Sequence, residues 1–458
     1  MSKRIKGSMT EGPLFWNIIT YTIPIILTSV LQLLFNAADL VVVGRFCGSI
    51  SVGAVGATGS LTTLLINFFI GLSVGTGVAV AQAHGAGDDE RVFKTVHTAI
   101  PLALCCGIVL TVAGVFLSGP LLELMGTPQK VIPLSAVYMK IFFSGTIFNL
   151  VYNFAASILR ASGDTKSPLI FLSIAGVFNV VLNIFFVTVF HMDVAGVALA
   201  TIISQAISAV LTMIALMRRE DASRFFFSKM RFYKDCLGKI LKIGVPAGIQ
   251  SSLFAISNVL IQSSVNSFGD IFVSGASAAA NIEGFQYVMM NSFYQSALNF
   301  TGQNVGAKKY DRVKKIFRIC LASVVVVGIV TGVLENLFGR QLLSIYITDS
   351  QQAIEYGLIR MMVIGLPYFL CGMMEIATGV LRGMGASVQP MVVSIIGACI
   401  LRVAWVYTIF QIPAFHNPVG LYSSYAVSWI ITFFTQYVLY KRLLKKKMKE
   451  QEALATAT

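Results

Sequence analysis

This chain contains twelve apolar segments, and each is long enough to cross a bilayer as a helix. A spanning helix needs ~20 mostly apolar residues. Charged residues make up only 12% of the chain, whereas a soluble domain has about a quarter. The sequence therefore predicts an all-α integral membrane protein with twelve transmembrane helices. The predicted spans are 15–43, 52–82, 93–118, 131–160, 167–190, 195–217, 240–268, 272–303, 313–338, 353–381, 388–411 and 419–440.

The Lys and Arg residues are distributed unevenly between the two sets of loops. The net charge is +14, yet all but six of the 34 Lys and Arg residues fall on the side of the N-terminus when successive loops alternate sides. Such an excess marks the cytoplasmic side of a membrane. We therefore expect a multi-pass protein of the cell (inner) membrane with both termini cytoplasmic, basic loops that contact membrane lipids, and no nucleic-acid partner. The six exceptions are Arg45, Lys130, Lys140, Arg340, Arg360 and Arg402.

The two halves of the chain repeat each other. The stretch QAHGAGDDERVFK from Gln82 matches QNVGAKKYDRVKK from Gln303, LRASGDTKSP matches LRGMGASVQP, and Pro24 matches Pro246. The offset is 221 or 222 residues at each match. Six spans in each half give both halves the same orientation, so the repeat is parallel, as in one large class of secondary transporters. Duplication for stability alone is the alternative.

The predicted organisation has four parts. Two six-helix bundles, 1–217 and 240–440, are joined by a cytoplasmic linker at 218–239 and followed by a basic cytoplasmic tail at 441–458. We expect the two bundles, as parallel repeats, to surround a central cleft.

Asp39 is the leading candidate for a functional side chain because it is a carboxylate on a predicted spanning helix. Insertion scales place the cost of a charge there at ~2.5 kcal/mol or more. Pro24 removes a backbone hydrogen bond from the same helix and bends it, and Asn36 lies on the same face as Asp39. Such a carboxylate suits the capture and release of a proton, and with amide oxygens nearby it can instead bind sodium. The alternative is a structural salt bridge to Arg45 at the outer interface.

Two asparagines on the fifth predicted span are candidate partners of Asp39. Asn179 and Asn183 are one turn apart in FNVVLN and project from one face of the helix. The alternative for both is hydrogen bonding between helices, worth ~0.6 kcal/mol on average.

The second half carries its acids elsewhere. At the repeat offset, Asp39 corresponds to Ile261, and the intramembrane acids of this half are Glu283 and Glu375. An acid inside the membrane is a functional hypothesis by default, so both are candidates for a substrate cavity. Alternatively, one of them forms a structural bridge to Arg402, and we favour that bridge for Glu375.

Two residues that follow Glu283 are further cavity candidates. Gln286 offers an amide, and the ring of Tyr287 can contact flat cations. The alternative for both is ordinary packing between helices.

On these motifs, the chain resembles the MATE (multidrug and toxic compound extrusion) transporters from about Gly12 to Arg442. The resemblance rests on Pro24 and FNAADLVVVGR in the first span, the Gln-x-x-Gly-Ala turns, and the Leu-Arg-x-x-Gly-x-x-x-x-Pro turns. It implies antiport: export of amphipathic, often cationic, drugs in exchange for inward H⁺ or Na⁺. It also implies that Asp39 binds the coupling ion and that Thr201 lines the same pocket. Asn183 stands where many members carry Asp, so the implied site has a single acid.

Other classes of protein are disfavoured by what the sequence lacks. It has no phosphate-binding loop, HExxH or GxSxG motif, so we expect no enzyme activity, no cofactor, and no metal beyond sodium at Asp39. The partners we expect are small amphipathic molecules and lipids, and a monomer suffices. Two alternatives stay open: a flippase for lipid-linked precursors, which should have a more basic cleft, and a membrane-embedded protease, which needs two facing aspartates.

Overall fold

The computed structural model describes residues 9–125, 127, 129–348 and 350–457. In this part of the chain the regular secondary structure is entirely helical, with sixteen α-helices and no strand, and short turns and loops connect the helices. Their bounds are α1 Leu14–Phe46, α2 Ser49–Ala86, α3 Asp89–Leu124, α4 Ile132–Ser144, α5 Thr146–Ala161, α6 Lys166–Thr188, α7 Asp193–Met217, α8 Lys234–Asn266, α9 Asp270–Gly306, α10 Tyr310–Leu337, α11 Gly339–Ser344, α12 Gln351–Arg360, α13 Phe369–Gly383, α14 Val388–Ser394, α15 Leu401–Tyr407 and α16 Pro418–Ala457.

Every predicted span corresponds to one helix or to consecutive helices. Among the described residues, nine helical stretches are long and apolar enough to cross a membrane, and α4 and α5, bent by 46° at their junction, make a tenth. The two remaining predicted spans are α9 and α16, which are long but carry more polar side chains. The all-α, twelve-span prediction is confirmed.

Two of the spans are interrupted within the second half. Between α12 and α13 the chain forms a π-helix at Met361–Gly365 and a 3₁₀-helix at Leu366–Tyr368. Pro367, which cannot donate a backbone hydrogen bond, has non-helical angles of φ −84° and ψ 15°. A second π-helix, Ile395–Ile400, separates α14 from α15. Wide turns of this kind are rare and are often found at functional sites.

Contacts divide the chain into two compact units. The N-terminal unit is Ile23–Ser252, and the C-terminal unit is Leu253–Thr458 together with the described residues of Met1–Thr22. Helices α1 and α8 each contribute their first part to one unit and their remainder to the other. The sequence-based boundaries at 217/218 and 239/240 concern the membrane bundles and stay a prediction.

The first parts of α1 and α8, each of which belongs to a different unit from the rest of its helix (the exchanged helix starts), pack at equivalent positions of the repeat. In the C-terminal unit, the hydroxyls of Thr22 on α1 and Ser296 on α9 are 2.7 Å apart. At the repeat offset these residues correspond to Gly244 and Gly75. In the N-terminal unit a Cβ atom added to Gly75 would lie 2.7 Å from the backbone nitrogen of Gly244. Two corresponding pairs of helices, α1 with α9 and α8 with α2, therefore meet at equivalent positions of the repeat.

Candidate functional site

Asp39 lies on α1 in the N-terminal unit and is held by groups from two other helices. The side-chain amide of Asn183, on α6, donates a short hydrogen bond to its Oδ1 atom. The hydroxyl of Thr201, on α7, is its second hydrogen-bonding neighbour. The sequence prediction that these three residues come together agrees with this geometry. Both partners are neutral, so the carboxylate is hydrogen-bonded without a neutralising cation.

The polar groups behind Asp39 form a short chain on α6. Asn183 is fully buried and its Nδ2 also contacts the Oδ1 atom of Asn179 at 3.3 Å, and Asn179 is only 5% exposed. The side-chain oxygen of Asn183 is buried, and no described residue donates a hydrogen bond to it. A buried polar atom without a partner is costly, so this oxygen is an available ligand beside the carboxylate.

Thr201 can serve either protonation state of Asp39. Its hydroxyl donates to the backbone carbonyl of Val197 at 2.9 Å, which leaves the lone pairs of its oxygen free. A hydroxyl has one donor and two acceptor sites. In this arrangement the hydroxyl can accept a hydrogen bond from a protonated Asp39, and it can donate to an ionised Asp39 only by giving up its bond to Val197.

Two other residues near Asp39 differ from the expectation. Asn36 is exposed, one turn before Asp39, and within the described residues no hydrogen bond joins it to the cluster. Tyr138, on α4, is 9% exposed and lies within electrostatic range of Asp39. The sequence interpretation missed Tyr138, although a tyrosine in an otherwise apolar span was a usable signal. The alternative bridge is not seen, since no ion pair joins Asp39 to Arg45 in the described part of the chain.

Pro24 lies inside α1, which continues through it without a break. The hydroxyl of Thr28 donates to the carbonyl oxygen of Pro24 at 2.7 Å. The division between the two units falls between Thr22 and Ile23. The proline therefore occupies the point at which α1 passes from one unit to the other.

Glu283, on α9, is held by a salt bridge that the sequence interpretation did not anticipate. Arg360, at the end of α12, donates to it through Nε at 3.0 Å and through Nη2 at 2.8 Å. Their side chains are 6% and 13% exposed. Arg360 is one of the cationic residues predicted on the outer side, and its guanidinium is largely buried against Glu283 and neutralises it.

The expected bridge between Glu375 and Arg402 is wrong for the described residues. Arg402 donates to Ser428 at 2.7 Å and lies over the ring of Tyr425, with 4.2 Å from the guanidinium carbon to the ring centre. Glu375, on α13, is 9% exposed, and the positive charge that acts on it is Arg382. Arg402 therefore contacts a hydroxyl and an aromatic face, and no ion pair joins it to Glu375 among the described residues.

The two remaining cavity candidates lie in different surroundings. Gln286 is fully buried, and its amide nitrogen donates to the carbonyl oxygen of Gly365 at 3.2 Å and to Thr331 at 3.4 Å. Tyr287 is 46% exposed and has Glu375 as an electrostatic neighbour. Of the four predicted cavity residues, only Tyr287 presents a large surface. Their role in binding substrate stays a prediction.

A family model described as MatE matches this chain twice, over residues 24–185 and 246–408. The two matches begin at Pro24 and Pro246, 222 residues apart, which confirms the internal repeat. Together they cover more than half of the chain.

Two curated relatives and one solved structure illustrate the similarity. The probable multidrug resistance protein YoeA of Bacillus subtilis is 29% identical over 440 residues, which are 93% of each chain. The probable multidrug resistance protein NorM of Thermotoga maritima is 26% identical, over 83% of this chain and 82% of that one. The structure of an outward-facing multidrug resistance transporter of the MATE family superposes with a TM-score of 0.91 at 19% identity, covering 98% of this chain and 100% of that one. The solved structure is that of a transporter, the curated relatives are probable multidrug resistance proteins, and the prediction that the chain is no enzyme is confirmed.

Proposed function

Because the chain belongs to the MatE family of multidrug transporters, we propose that it is a secondary antiporter coupled at Asp39. It would export amphipathic, often cationic, compounds in exchange for an inward flow of protons. The observation that carries this proposal is the carboxylate of Asp39, hydrogen-bonded by Asn183 and Thr201 on a spanning helix that contains Pro24.

A proton suits this arrangement better than sodium does. A hard cation requires several oxygen ligands, but Asn183 turns its amide nitrogen, not its oxygen, toward Asp39. A proton needs only one acceptor for the new O–H group, and the oxygen of Thr201 is available for that purpose. Sodium would require the amide of Asn183 to rotate so that its unpartnered oxygen faces the site.

Coupling would run through α1. Protonation of Asp39 removes the charge that its two partners stabilise, so α1 is freed to move against α6 and α7. Pro24 lacks one backbone hydrogen bond and is the place where α1 bends most easily. Because each ligand must lower the affinity for the other by the same factor, bending at Pro24 would release substrate when a proton binds.

The setting of this mechanism follows from the charge pattern. We propose that the protein lies in the cell (inner) membrane with both termini in the cytoplasm, because the basic loops are on the side of the termini. We also propose that it works as a monomer surrounded by lipid, because all the groups of the Asp39 site come from one chain.

The test is transport of a fluorescent lipophilic cation in everted vesicles. A pH gradient and a sodium gradient are imposed separately, for the wild type, for Asp39→Asn, and for Asp235→Asn as an exposed acid control. We expect the pH gradient to drive transport by the wild type and the control, and Asp39→Asn to lose it. Full gradient-driven transport by Asp39→Asn would remove Asp39 from the coupling role. Transport driven only by sodium would replace the proton as the ion.

A further inference from the structure

Like the N-terminal unit with Asp39, the C-terminal unit contains a buried carboxyl group for which the described residues provide no cationic partner. Glu335 lies in the last turn of α10 and is 8% exposed. Its Oε2 atom is buried and, within the described part of the chain, has no hydrogen-bond partner. An ionised oxygen in that condition would be strongly disfavoured, because burying a charge without a partner costs several kcal/mol.

A second buried oxygen faces the same place. The amide nitrogen of Gln286 donates to the carbonyl of Gly365 and to Thr331, and its buried side-chain oxygen has no hydrogen-bond partner among the described residues. A Cβ atom added to Gly365 would lie 3.5 Å from Oε2 of Glu335 and 3.8 Å from Oε1 of Gln286. Two buried acceptors therefore lie within 4 Å of one position.

The break between α12 and α13 creates this position. Gly365 is the last residue of the π-helix Met361–Gly365, and its missing side chain leaves the room beside the two oxygens. Its carbonyl is the acceptor that fixes the orientation of the Gln286 amide. The wide turn thus does two things: it opens the space, and it turns the amide oxygen of Gln286 into it.

The charges around Glu335 disfavour a second negative charge. Glu283, on the neighbouring α9, acts on Glu335 as a like charge, and it takes the Nε and Nη2 groups of Arg360. No ion pair joins Glu335 to Arg360 among the described residues. Arg340, which follows α10, pairs with Glu355 on α12 at the surface. No free cation in the described part of this region is aimed at Glu335.

We propose that Glu335 is a second proton-binding group, whose neutral carboxylic acid donates its O–H to the carbonyl oxygen of Gln286. One proton supplies the donor that these two buried acceptors, both within 4 Å of the same position beside Gly365, lack. It also leaves Glu283, which Arg360 neutralises, as the one negative charge of these three side chains. This assignment is independent of which ion Asp39 binds, because it concerns another helix pair in the other unit.

Infrared spectroscopy of the full-length protein in lipid tests the proposal. A protonated carboxyl group has a carbonyl stretch that is separate from that of a carboxylate. Spectra of the wild type are compared at neutral pH with those of Glu335→Gln and of Glu355→Gln, the matched control for an exposed, salt-bridged acid. We expect Glu335→Gln to lose one protonated-carboxyl band and Glu355→Gln to lose none.

A second variant tests the pairing and does not depend on removing the acid. Gln286→Leu deletes the acceptor and leaves Glu335 in place, so the same band should persist and shift in frequency. An unchanged band in Glu335→Gln would overturn the protonated state, and an unshifted band in Gln286→Leu would overturn the pairing. A carboxylate signal of Glu335 that moves when sodium is added would replace the proton by a metal cation. None of these outcomes depends on the transport assay of Asp39→Asn.

Discussion

The two units hold their hydrogen-bonded carboxylates in opposite ways. Asp39 in the N-terminal unit is held by the neutral amide of Asn183 and the hydroxyl of Thr201, whereas Glu283 in the C-terminal unit is held by the guanidinium of Arg360. A proton added to Asp39 leaves only neutral groups behind. A proton added to Glu283 leaves a buried guanidinium without a counter-ion, which is strongly unfavourable. The comparison teaches that the partner, more than the presence of an acid, decides which carboxylate can exchange a proton.

The same comparison separates two of the buried acids of the C-terminal unit, Glu283 and Glu335. Glu283 receives two N–H donors, as an ionised carboxylate requires, whereas Oε2 of Glu335 receives none. Within one helix pair, therefore, one acid is suited to stay charged and the other to stay neutral. A pair of acids whose surroundings push their proton affinities apart is the usual way to divide structural and proton-exchanging roles.

The largest effect is expected from breaking the Glu283–Arg360 pair. Removing one partner of a buried ion pair costs about 3–5 kcal/mol, because the other charge is left without a partner. Glu283→Gln and Arg360→Met should therefore each lower the thermal unfolding temperature in detergent strongly. The double variant should recover much of the loss, since both charges are then absent. A double variant whose loss equals the sum of the two single losses would show that the residues do not act as a pair.

The exchanged helix contacts allow a second comparison between the units. Gly75→Ser gives the N-terminal unit the residue that the C-terminal unit carries at Ser296. The new Cβ atom would lie 2.3 Å from the backbone oxygen of Ile240, and backbone cannot move aside cheaply, so we expect a loss of about 1–3 kcal/mol or more. Ser296→Gly is the matched control, which removes the hydroxyl contacts to Thr22 and to the carbonyl oxygen of Ser292 besides the helix penalty of about 1 kcal/mol.

Thermal unfolding of the two variants in the same detergent gives the measurement. Equal losses for Gly75→Ser and Ser296→Gly would show that the two crossings tolerate side chains alike. Such a result would contradict the close backbone approach in the N-terminal unit.

A third prediction concerns the neutral partners of Asp39. Asn183→Leu keeps the shape of the side chain but removes a hydrogen bond to a charged group, which is worth about 1.5–3 kcal/mol. We expect the rate of gradient-driven export to fall about tenfold or more, since 1.4 kcal/mol corresponds to a factor of about ten. Asn179→Leu is the control and should have a smaller effect, because Asn179 contacts Asn183 and not Asp39. A larger effect at Asn179 would reverse the assigned roles.

Most of the fold could be predicted from the sequence because its signals are local or repeated. An apolar stretch of sufficient length specifies a spanning helix wherever it lies, and the matches from Pro24 to Pro246 reveal the repeat without knowledge of any contact. The exchange of helix starts between the units could not be seen in this way. It depends on which helices meet, as at Thr22 and Ser296.

The candidate site was predictable only in part, for a related reason. Asp39 and Asn183 share no stretch of sequence, yet both are polar groups on apolar helices, and such groups are expected to find each other. The partner of Glu283 was missed because the sequence pattern placed Arg360 at the end of a span, on the outer side, and left Arg402 as the cation within a span, and only the three-dimensional positions show which arginine meets Glu283. The space between Glu335 and Gln286 depends on a π-helix, which periodicity does not indicate.

The smallest effect is expected in the loop that follows α7, where Arg219 and Asp221 form a partly exposed pair. Their side chains are 14% and 19% exposed and the atoms Nη2 and Oδ2 are 2.5 Å apart. Burial alone would raise the pKa of Asp221, but the hydrogen bonds and the charge of Arg219 outweigh it and lower the pKa below its usual value. A lowered pKa contributes stability that is present above the usual carboxyl pKa and is lost as the pH falls through the native one.

Asp221→Asn should therefore reduce the free energy of unfolding by only about 1 kcal/mol at neutral pH, as for other partly exposed pairs. The difference from the wild type should shrink in acid, as the wild-type carboxyl takes up its proton. Thermal unfolding in detergent across a pH series measures both effects, with Asp311→Asn as a control for an exposed acid paired with Lys314. A pH-independent difference would mean that Asp221 acts through its hydrogen bonds and not through its charge. This loop pair would then differ in kind from the Glu283–Arg360 pair, whose cost of disruption is set by charge.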